Sequence, residues 1–464
     1  MRLKNHEYHA RCNGDLRIEF AQQDLTSYSG LELFIRYFKL IGLNFRIRRA
    51  FRAHQLSGDY GVTDFILIFI ALWLTGGRRL RHVAFLADDP LVRRLCGLSS
   101  LPSDRTISRW LRQFTSESLQ ALVSLNSEIV TEKLRELNLA RITLDFDGTV
   151  LTTGHKVAWA FRGYNPHKRY APSYYPLLCH IAQTGHFLQV KNRPGNVHDS
   201  KGALALIQDS IREVRRMLPG VKIEVRLDAA FFQKPILSWL DRNGVEFAVK
   251  VPMCKWTGIK PAINATKYWY HHGEKLSSRK LSLFLGGRWQ KNVEFTIIRH
   301  KISDNPNGKQ YTQLDLFKPD DGIYEYSAIC TNKKLRADHL WDFYNGRSAM
   351  EHQISEIKGE FGFDVIPTQH YQGNSAHQLI STLAYNLVRN FQIDAGVAEE
   401  RPRTMSRTNL FSFESLKTLR FEWIAVAGRM VNSSGTRVLK LCQNIRREKI
   451  YRDLLQRLDH LAAA

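Results

Sequence analysis

At residue 141 the spacing of apolar residues changes, and that change constrains the chain more than any other feature. Up to about residue 138 they recur at helical spacing, in 31–40 "LELFIRYFKL", 62–74, 90–96, 103–114 "SDRTISRWLRQF" and 118–138. From 141, "RITLDFDGTVLTTG" alternates apolar and polar residues, as a strand ending in a turn does. Further strands are predicted at 156–161, 175–182, 186–191, 221–228 and 245–251, with helices at 199–216 and 234–242. Several strands followed by helix, strand, helix, strand predict an α/β sheet with an antiparallel start.

Residues 253–335 differ, because "KLSLFLGG", "NVEFTIIRH" and "YEYSAICTN" read as strands punctuated by Gly, Asn and Pro, with no clear helix. They predict a β-rich insertion ahead of one helix over about 338–361, with Asp338 as its cap and Gly362 as its stop. Gly346 inside that helix costs about 1 kcal/mol against alanine. Residues 375–395 and 414–464 are predicted helical, around a polar linker "EERPRTMSRTN" at 399–409. The expected regions are therefore 1–138 (helical), 139–252 (sheet core, first part), 253–335 (β-rich insertion), 336–398 (core, second part) and 399–464 (basic, helical).

Charge narrows the choice of partner. The 464 residues hold 67 Lys and Arg against 44 acids, a net charge of +23, and the excess is densest beyond residue 400. A positive balance spread over several regions suits a long polyanion such as DNA better than one small anionic ligand. The six cysteines are scattered with no C-x-x-C pair, which argues against a structural zinc and a disulfide framework. The longest apolar run, "FILIFIALWL" at 65–74, is about half of the roughly 20 residues a membrane span needs. It reads as a buried helix, so no membrane partner is expected. The first 20 residues lack a signal peptide's apolar stretch, and a cytoplasmic location is the expectation.

Metal-dependent phosphodiester chemistry needs carboxylates from separate elements converging on divalent ions. Asp145 and Asp147 in "TLDFDGT" share one strand face by alternation, and Asp228 ends the strand "VRLD". Asp147 lies nearer the strand's carboxyl end and is preferred, with Asp145 kept as a near neighbour. Each alone is equally a turn or cap residue. A helical wheel selects the third carboxylate in "YNGRSAMEHQISEIKGEFGFD". With Tyr344 at zero, Arg347, Glu351 and Lys358 fall at about -60°, -20° and -40°, whereas Glu356 and Glu360 fall at about +120° and +160°. Glu351 is thus the glutamate that shares a face with the arginine and the lysine. An exposed face of ion pairs explains the same spacing.

Tyr344, Arg347, Glu351 and Lys358 also match, gap for gap, the Y-(2)-R-(3)-E-(6)-K signature of DDE transposases encoded by bacterial insertion sequences. "LPSDRTISRWL", "LDFDGT", "GYNPHKRYAPSYYPLL" and "RPGNVHDSKGA" likewise resemble the DDE group 1 transposases, mainly over residues 100–365. The resemblance implies a ribonuclease H-like core with a β insertion, and a metal-binding catalytic triad of Asp147, Asp228 and Glu351. It implies Tyr344, Arg347 and Lys358 as contacts to DNA phosphates, and two Mg2+ ions replaceable by Mn2+. It further implies the element's terminal inverted repeats and target DNA as partners, and a homodimer that pairs two ends.

Around this site, Arg105 and Arg109 on one side of a helix are candidates for DNA recognition in the N-terminal region, or for a solvated face. His155, His167, Lys168 and Arg169 form a basic loop that suits phosphate contacts or plain solvation. His198 and Asp199 open a helix, where capping is the favoured role. Trp256, Trp269 and Trp289 in the insertion are equivalent candidates for stacking on an unpaired base or for packing. Two rival functions remain: a catalytically silent DNA-binding protein derived from a transposase, and a hydrolytic ribonuclease H-like nuclease without strand transfer. A glycosidase with paired carboxylates leaves the +23 charge unexplained.

Overall fold

The computed structural model describes residues 10–11, 15–16, 24–54, 56, 58–166, 168–198, 200–302, 324–402, 404, 408–442 and 444–463. His167 and Asp199 lie outside them.

A nine-stranded mixed sheet organises the chain. In chain order its strands are β1 (Arg141–Gly148), β2 (Leu177–Ile181), β3 (Phe187–Lys191), β4 (Lys222–Leu227), β5 (Glu246–Lys250), β6 (Tyr270–His271), β7 (Leu276–Leu285), β8 (Lys291–Lys301) and β9 (Tyr324–Thr331). Their spatial order is β6-β7-β8-β9-β5-β4-β1-β2-β3. β4 runs parallel to β1 and β5, whereas β2 is antiparallel to both β1 and β3. The inner strands β3-β2-β1-β4-β5 form the centre of a mixed α/β core.

The strands of the insertion extend this same sheet, because β9 pairs with β5 through Ala248↔Thr331 and Val249↔Cys330. A short helix, Ile259–Asn264, lies within the insertion, where no clear helix was expected. The strand expected at 156–161 is mostly turn, and only Phe161–Arg162 is extended. Trp159, at φ +59°, breaks the alternation there.

Helices cover the sheet. α1 (Val62–Leu74) is buried from Phe65 to Leu74, as its apolar run requires. α2 (Asp104–Leu111) and α3 (Ser116–Glu136) follow it, and α6 (Tyr371–Asp394) is buried from Gly373 to Gln392. Many of the buried side chains of α6 are polar, and the edge strand β3 gives some of them partners. The Asn386 side-chain amide donates to the Phe187 carbonyl at 2.8 Å and accepts from the Phe187 amide at 3.0 Å, while Asn126 of α3 donates to the same carbonyl. Backbone groups at the sheet edge are thus satisfied by side chains.

The helix expected over 338–361 is two helices, α4 (Ala337–Asn345) and α5 (Ser348–Glu360), with Arg336 rather than Asp338 as the cap residue. The region 399–464 is not uniformly helical either. Gly428–Ser433 and Thr436–Leu441 form a hairpin whose turn residues Ser434 and Gly435 both have positive φ, the geometry a two-residue turn uses to match strand twist. Leu25–Thr26 adds to this hairpin and joins the two ends of the chain. Among the described residues, no helix is long and apolar enough to cross a membrane.

Candidate active site

β1 and β4 lie side by side in parallel with Asp145 opposite Arg226. Beyond this pair, Asp147 lies near the end of β1 and Asp228 follows β4, and both carboxylates act on the Arg347 guanidinium. The two levels differ in environment. Asp145 and Arg226 are fully buried and paired through two bonds, Nε to Oδ1 at 2.6 Å and Nη2 to Oδ2 at 2.7 Å. Burial, the largest single influence, would raise the Asp145 carboxyl, but the Arg226 charge and hydrogen bonds together with neighbouring His180 hold the group below the ordinary aspartate value. His180 on β2 approaches Asp145 at 3.5 Å, and burial depresses the imidazole despite that carboxylate.

Arg226 also reaches across to the helices, donating from Nη1 to the Phe343 carbonyl at 2.7 Å and to Thr408 Oγ1 at 3.2 Å. One guanidinium therefore ties together β1, β4 and the end of α4. It also explains the glycine between α4 and α5, since a Cβ at Gly346 would lie 2.6 Å from Arg226 Nη1.

Above this layer the side chains meet solvent. Asp147 keeps about a fifth of its side chain exposed and accepts from the Gly148 amide at 2.9 Å. Asp228 caps the short turn that follows β4, accepting from the Ala230 amide at 2.9 Å. Arg347, 8% exposed, stands between the strands and α5, with Nη2 2.9 Å from Asp147 Oδ2 and Nη1 3.6 Å from Glu351 Oε1. Burial works against its charge, yet Asp147 and its neighbours raise the guanidinium further above its ordinary value. Glu351 is 65% exposed.

Lys358, about two turns beyond Glu351 on the same face of α5, donates to the Val150 carbonyl at 3.2 Å, just beyond β1. Burial lowers its amine, with Asp364 and Asp147 opposing. Tyr344 is buried beside the acidic group, and burial with the Asp228 and Asp145 charges pushes its phenol up, so it stays protonated. Glu356 and Glu360 turn the other way. Glu356 pairs with buried Arg389 and accepts from the Leu416 amide at 3.0 Å, and Glu360 pairs with Arg420 at 3.0 Å.

The structure thus gathers Asp147, Tyr344, Arg347, Glu351 and Lys358 at the carboxyl ends of β1 and β4, beside Asp228. Asp145 belongs to the closed layer beneath. Arg105 and Arg109 sit on the exposed side of α2, whose Ile107, Trp110 and Leu111 are buried. His155, Lys168 and Arg169 are exposed in the loop between β1 and β2. His198 bonds Ser200 locally at 2.9 Å. Of the three tryptophans, Trp289 is buried against Phe232 with ring centres 4.7 Å apart, and Trp269 lies under the Arg299 guanidinium at 4.5 Å. Trp256 is half exposed. Arg226 is the residue that sequence reasoning missed. Its signal was present, since it precedes Asp228 by the same two positions that separate Asp145 from Asp147.

Among the described residues, no group of three His, Cys, Asp or Glu side chains is gathered closely enough to hold a metal ion. The donor types are nevertheless right for Mg2+, which prefers carboxylate oxygens. Asp147 and Asp228 come from adjacent strands, and Glu351 lies on the same arginine. In the arrangement seen, the Arg347 guanidinium balances Asp147, as a cation at that position must.

A family model described as "Transposase DDE domain group 1" matches residues 9–463. No curated protein matches. Among solved structures, the chain is similar to the piggyBac transposase synaptic complex with hairpin DNA, determined by cryo-EM, at 12% identity and a TM-score of 0.41. That match covers 87% of this chain and 83% of the other.

Proposed function

The chain belongs to the transposase DDE domain group 1 family, and from that premise we propose that it is the transposase of a bacterial insertion sequence, acting on the element's terminal inverted repeats and on target DNA. The observation that carries this reading is Arg347, 2.9 Å from Asp147 and 3.6 Å from Glu351, with the Asp228 charge acting on the same guanidinium. Asp147, Asp228 and Glu351 are the proposed catalytic and metal-holding residues. Two divalent ions, Mg2+ or Mn2+, would supply activation of the attacking oxygen and stabilisation of the leaving oxygen there.

In the first stage water attacks the phosphorus at the element's end, the bond to the bridging 3'-oxygen breaks, and that oxygen leaves as a 3'-hydroxyl. In the second, the 3'-hydroxyl attacks a target phosphodiester and displaces its 3'-oxygen in turn. The chain's own residues position these reactants. Arg347 holds Asp147 and Glu351 within reach of each other, and Lys358 fixes the turn after β1 through Val150. Tyr344, with its phenol kept protonated, acts as a hydrogen-bond donor and not as a nucleophile. Tyr344, Arg347 and Lys358 are the proposed phosphate side of the site. Arg105 and Arg109 in the N-terminal region, Lys168 and Arg169, and the basic C-terminal region are proposed contacts to flanking DNA. Two copies would pair the two ends, at the nucleoid in the cytoplasm.

The test is cleavage of a labelled fragment carrying the element's own end, with Mg2+ or Mn2+, comparing the unaltered chain, Glu351→Gln and Ser355→Ala. Ser355 is exposed on the same helix and serves as the control. Loss of cutting in Glu351→Gln alone, with DNA binding kept, supports the reading. Equal cutting by Glu351→Gln overturns the triad. Cutting without joined products in the presence of target DNA indicates a hydrolytic nuclease instead, and DNA binding without cutting by the unaltered chain a catalytically silent relative.

A further inference from the structure

The loop between β1 and β2 carries four large aromatic side chains in solvent. Trp159, Phe161, Tyr164 and Tyr170 are 62%, 44%, 81% and 79% exposed. Burying such rings is normally favourable, so a cluster left open marks a surface that receives something. Residues 153–171 also hold Lys156, Arg162, Lys168 and Arg169 and no acid, so the surface is uniformly positive.

The loop is built rather than loose. The Ala158 amide donates to the Gln369 carbonyl at 2.9 Å, and Tyr174 Oη donates to the Ala158 carbonyl at 2.6 Å. Asn165 bonds Thr152 Oγ1 at 3.0 Å and accepts from the Lys168 amide at 3.0 Å. Gly163 lies so close to Gly195 that a Cβ on it would overlap the Gly195 carbonyl oxygen. An aromatic file leads outward from this root. Tyr174 is fully buried, and its ring lies 5.6 Å from Tyr371, which lies 6.4 Å from Trp159, which lies 6.3 Å from Phe161. Trp159 and Tyr170 are held at φ +59° and +62°, a backbone region costly for bulky residues, and such strain persists where surrounding structure imposes it.

Exposed rings interleaved with cations are what unpaired nucleic acid requires, because bases freed from a duplex stack on aromatics while their phosphates meet Lys and Arg. A duplex offers phosphates and base edges but no base faces. We propose that this loop is a stacking platform for single-stranded DNA continuing from the phosphodiester at the carboxylate site. Its place supports that occupant: the loop leaves the sheet directly after Asp147, and Lys358 binds its first turn at Val150. Only the origin of the strand rests on the transposase reading.

The test is fluorescence anisotropy with the full chain, without divalent metal, titrating a short dye-labelled oligothymidine and a duplex of equal length. Trp159→Ala should weaken oligothymidine binding about tenfold and leave the duplex unchanged, and Trp159→Phe should restore most of the loss. A Lys168→Ser/Arg169→Ser double variant should weaken both DNAs. Thermal unfolding checks that Trp159→Ala folds. If it does not, Tyr164→Ser carries the test, because that ring is almost wholly in solvent. Unchanged oligothymidine affinity in both variants, or equal losses for oligothymidine and duplex, would overturn the platform. The readout involves no cleavage. A Trp159 effect in a chain that never cuts its ends leaves the platform standing and removes the catalytic reading, and the converse result does the opposite.

Discussion

Asp145 and Asp147 are the same residue type on the same face of one strand, two positions apart, yet they live in different surroundings. Asp145 is sealed from water with a bidentate arginine that also grips α4. Asp147 touches solvent and shares its arginine with an exposed glutamate. A carboxylate in the first setting is cut off from water, and in the second its bonds face solvent, where a ligand can compete for them. The lower layer sets the position of the upper one, because Arg226 joins the two strands and the helix from which the candidate site is assembled.

The sharpest way to break the comparison is to remove the lower cation. Arg226→Met leaves Asp145 buried without its partner, and the expected loss is about 3–5 kcal/mol, read as a fall in the urea unfolding midpoint. Adding Asp145→Leu should recover most of it, since no charge then remains buried. A loss under about 1 kcal/mol for Arg226→Met alone would mean that the layer is not a clamp.

A second comparison lies along α5. Glu356→Ala strands Arg389, which is 4% exposed, and should cost about 2–3 kcal/mol. Glu351→Ala removes an exposed carboxylate and should stay within about 0.5 kcal/mol while abolishing end cleavage. Paired unfolding and cleavage assays would separate the structural glutamate from the proposed catalytic one. Equal stability losses would erase the distinction.

Much of this was legible beforehand, for identifiable reasons. The ten buried residues of α1 follow from an apolar run that has nowhere else to go, and β1 follows from strict alternation. The wheel separated Glu351 from Glu356 and Glu360 although it assumed one continuous helix, because Gly346 and Arg347 keep helical dihedrals through the junction. What was illegible depends on distant partners. Gly346 reads as a weak helix residue until Arg226, 120 positions earlier, is seen filling the space beside it. The burial of α6 was hidden because Asn386, Asn390 and Arg389 read as surface residues, and their bonds go to β3, His186 and Glu356. The Ser434-Gly435 hairpin was masked by the helical pattern on either side of it.

Buried neutral groups extend the comparison to pH. Burial lowers His186 and His377 to about 3, below the unfolded value of about 6.5. Between those values the unfolded chain binds a proton that the folded chain refuses, so stability is full above about pH 6.5 and falls as pH drops. Each histidine should contribute a slope of about 1.4 kcal/mol per pH unit. Unfolding midpoints measured from pH 7 to pH 5 should therefore decline, and His377→Gln should flatten the curve. Its ring packs edge-on against Phe69 and Trp73, so the variant is read by its slope rather than by its absolute stability. A flat profile in the unaltered chain would show that these rings are solvated.

The smallest expected change tests the open surface on α2. Arg105 and Arg109 project from α2, whose inner side is fixed by Trp110 stacked on Phe65 at 4.5 Å. Their own loss leaves that packing intact. Arg105→Ala and Arg109→Ala should each shift stability by less than about 0.5 kcal/mol. If α2 lies on duplex DNA, each should also reduce the slope of log affinity against log salt by about 1, because one phosphate contact and its displaced counterion disappear. An unchanged slope makes α2 a solvated face, and a stability loss above about 1 kcal/mol makes its arginines part of the scaffold. The contrast between closed and open charge then has a quantitative form: charges in the closed layer change unfolding, and charges on the open surface change only the salt dependence of binding.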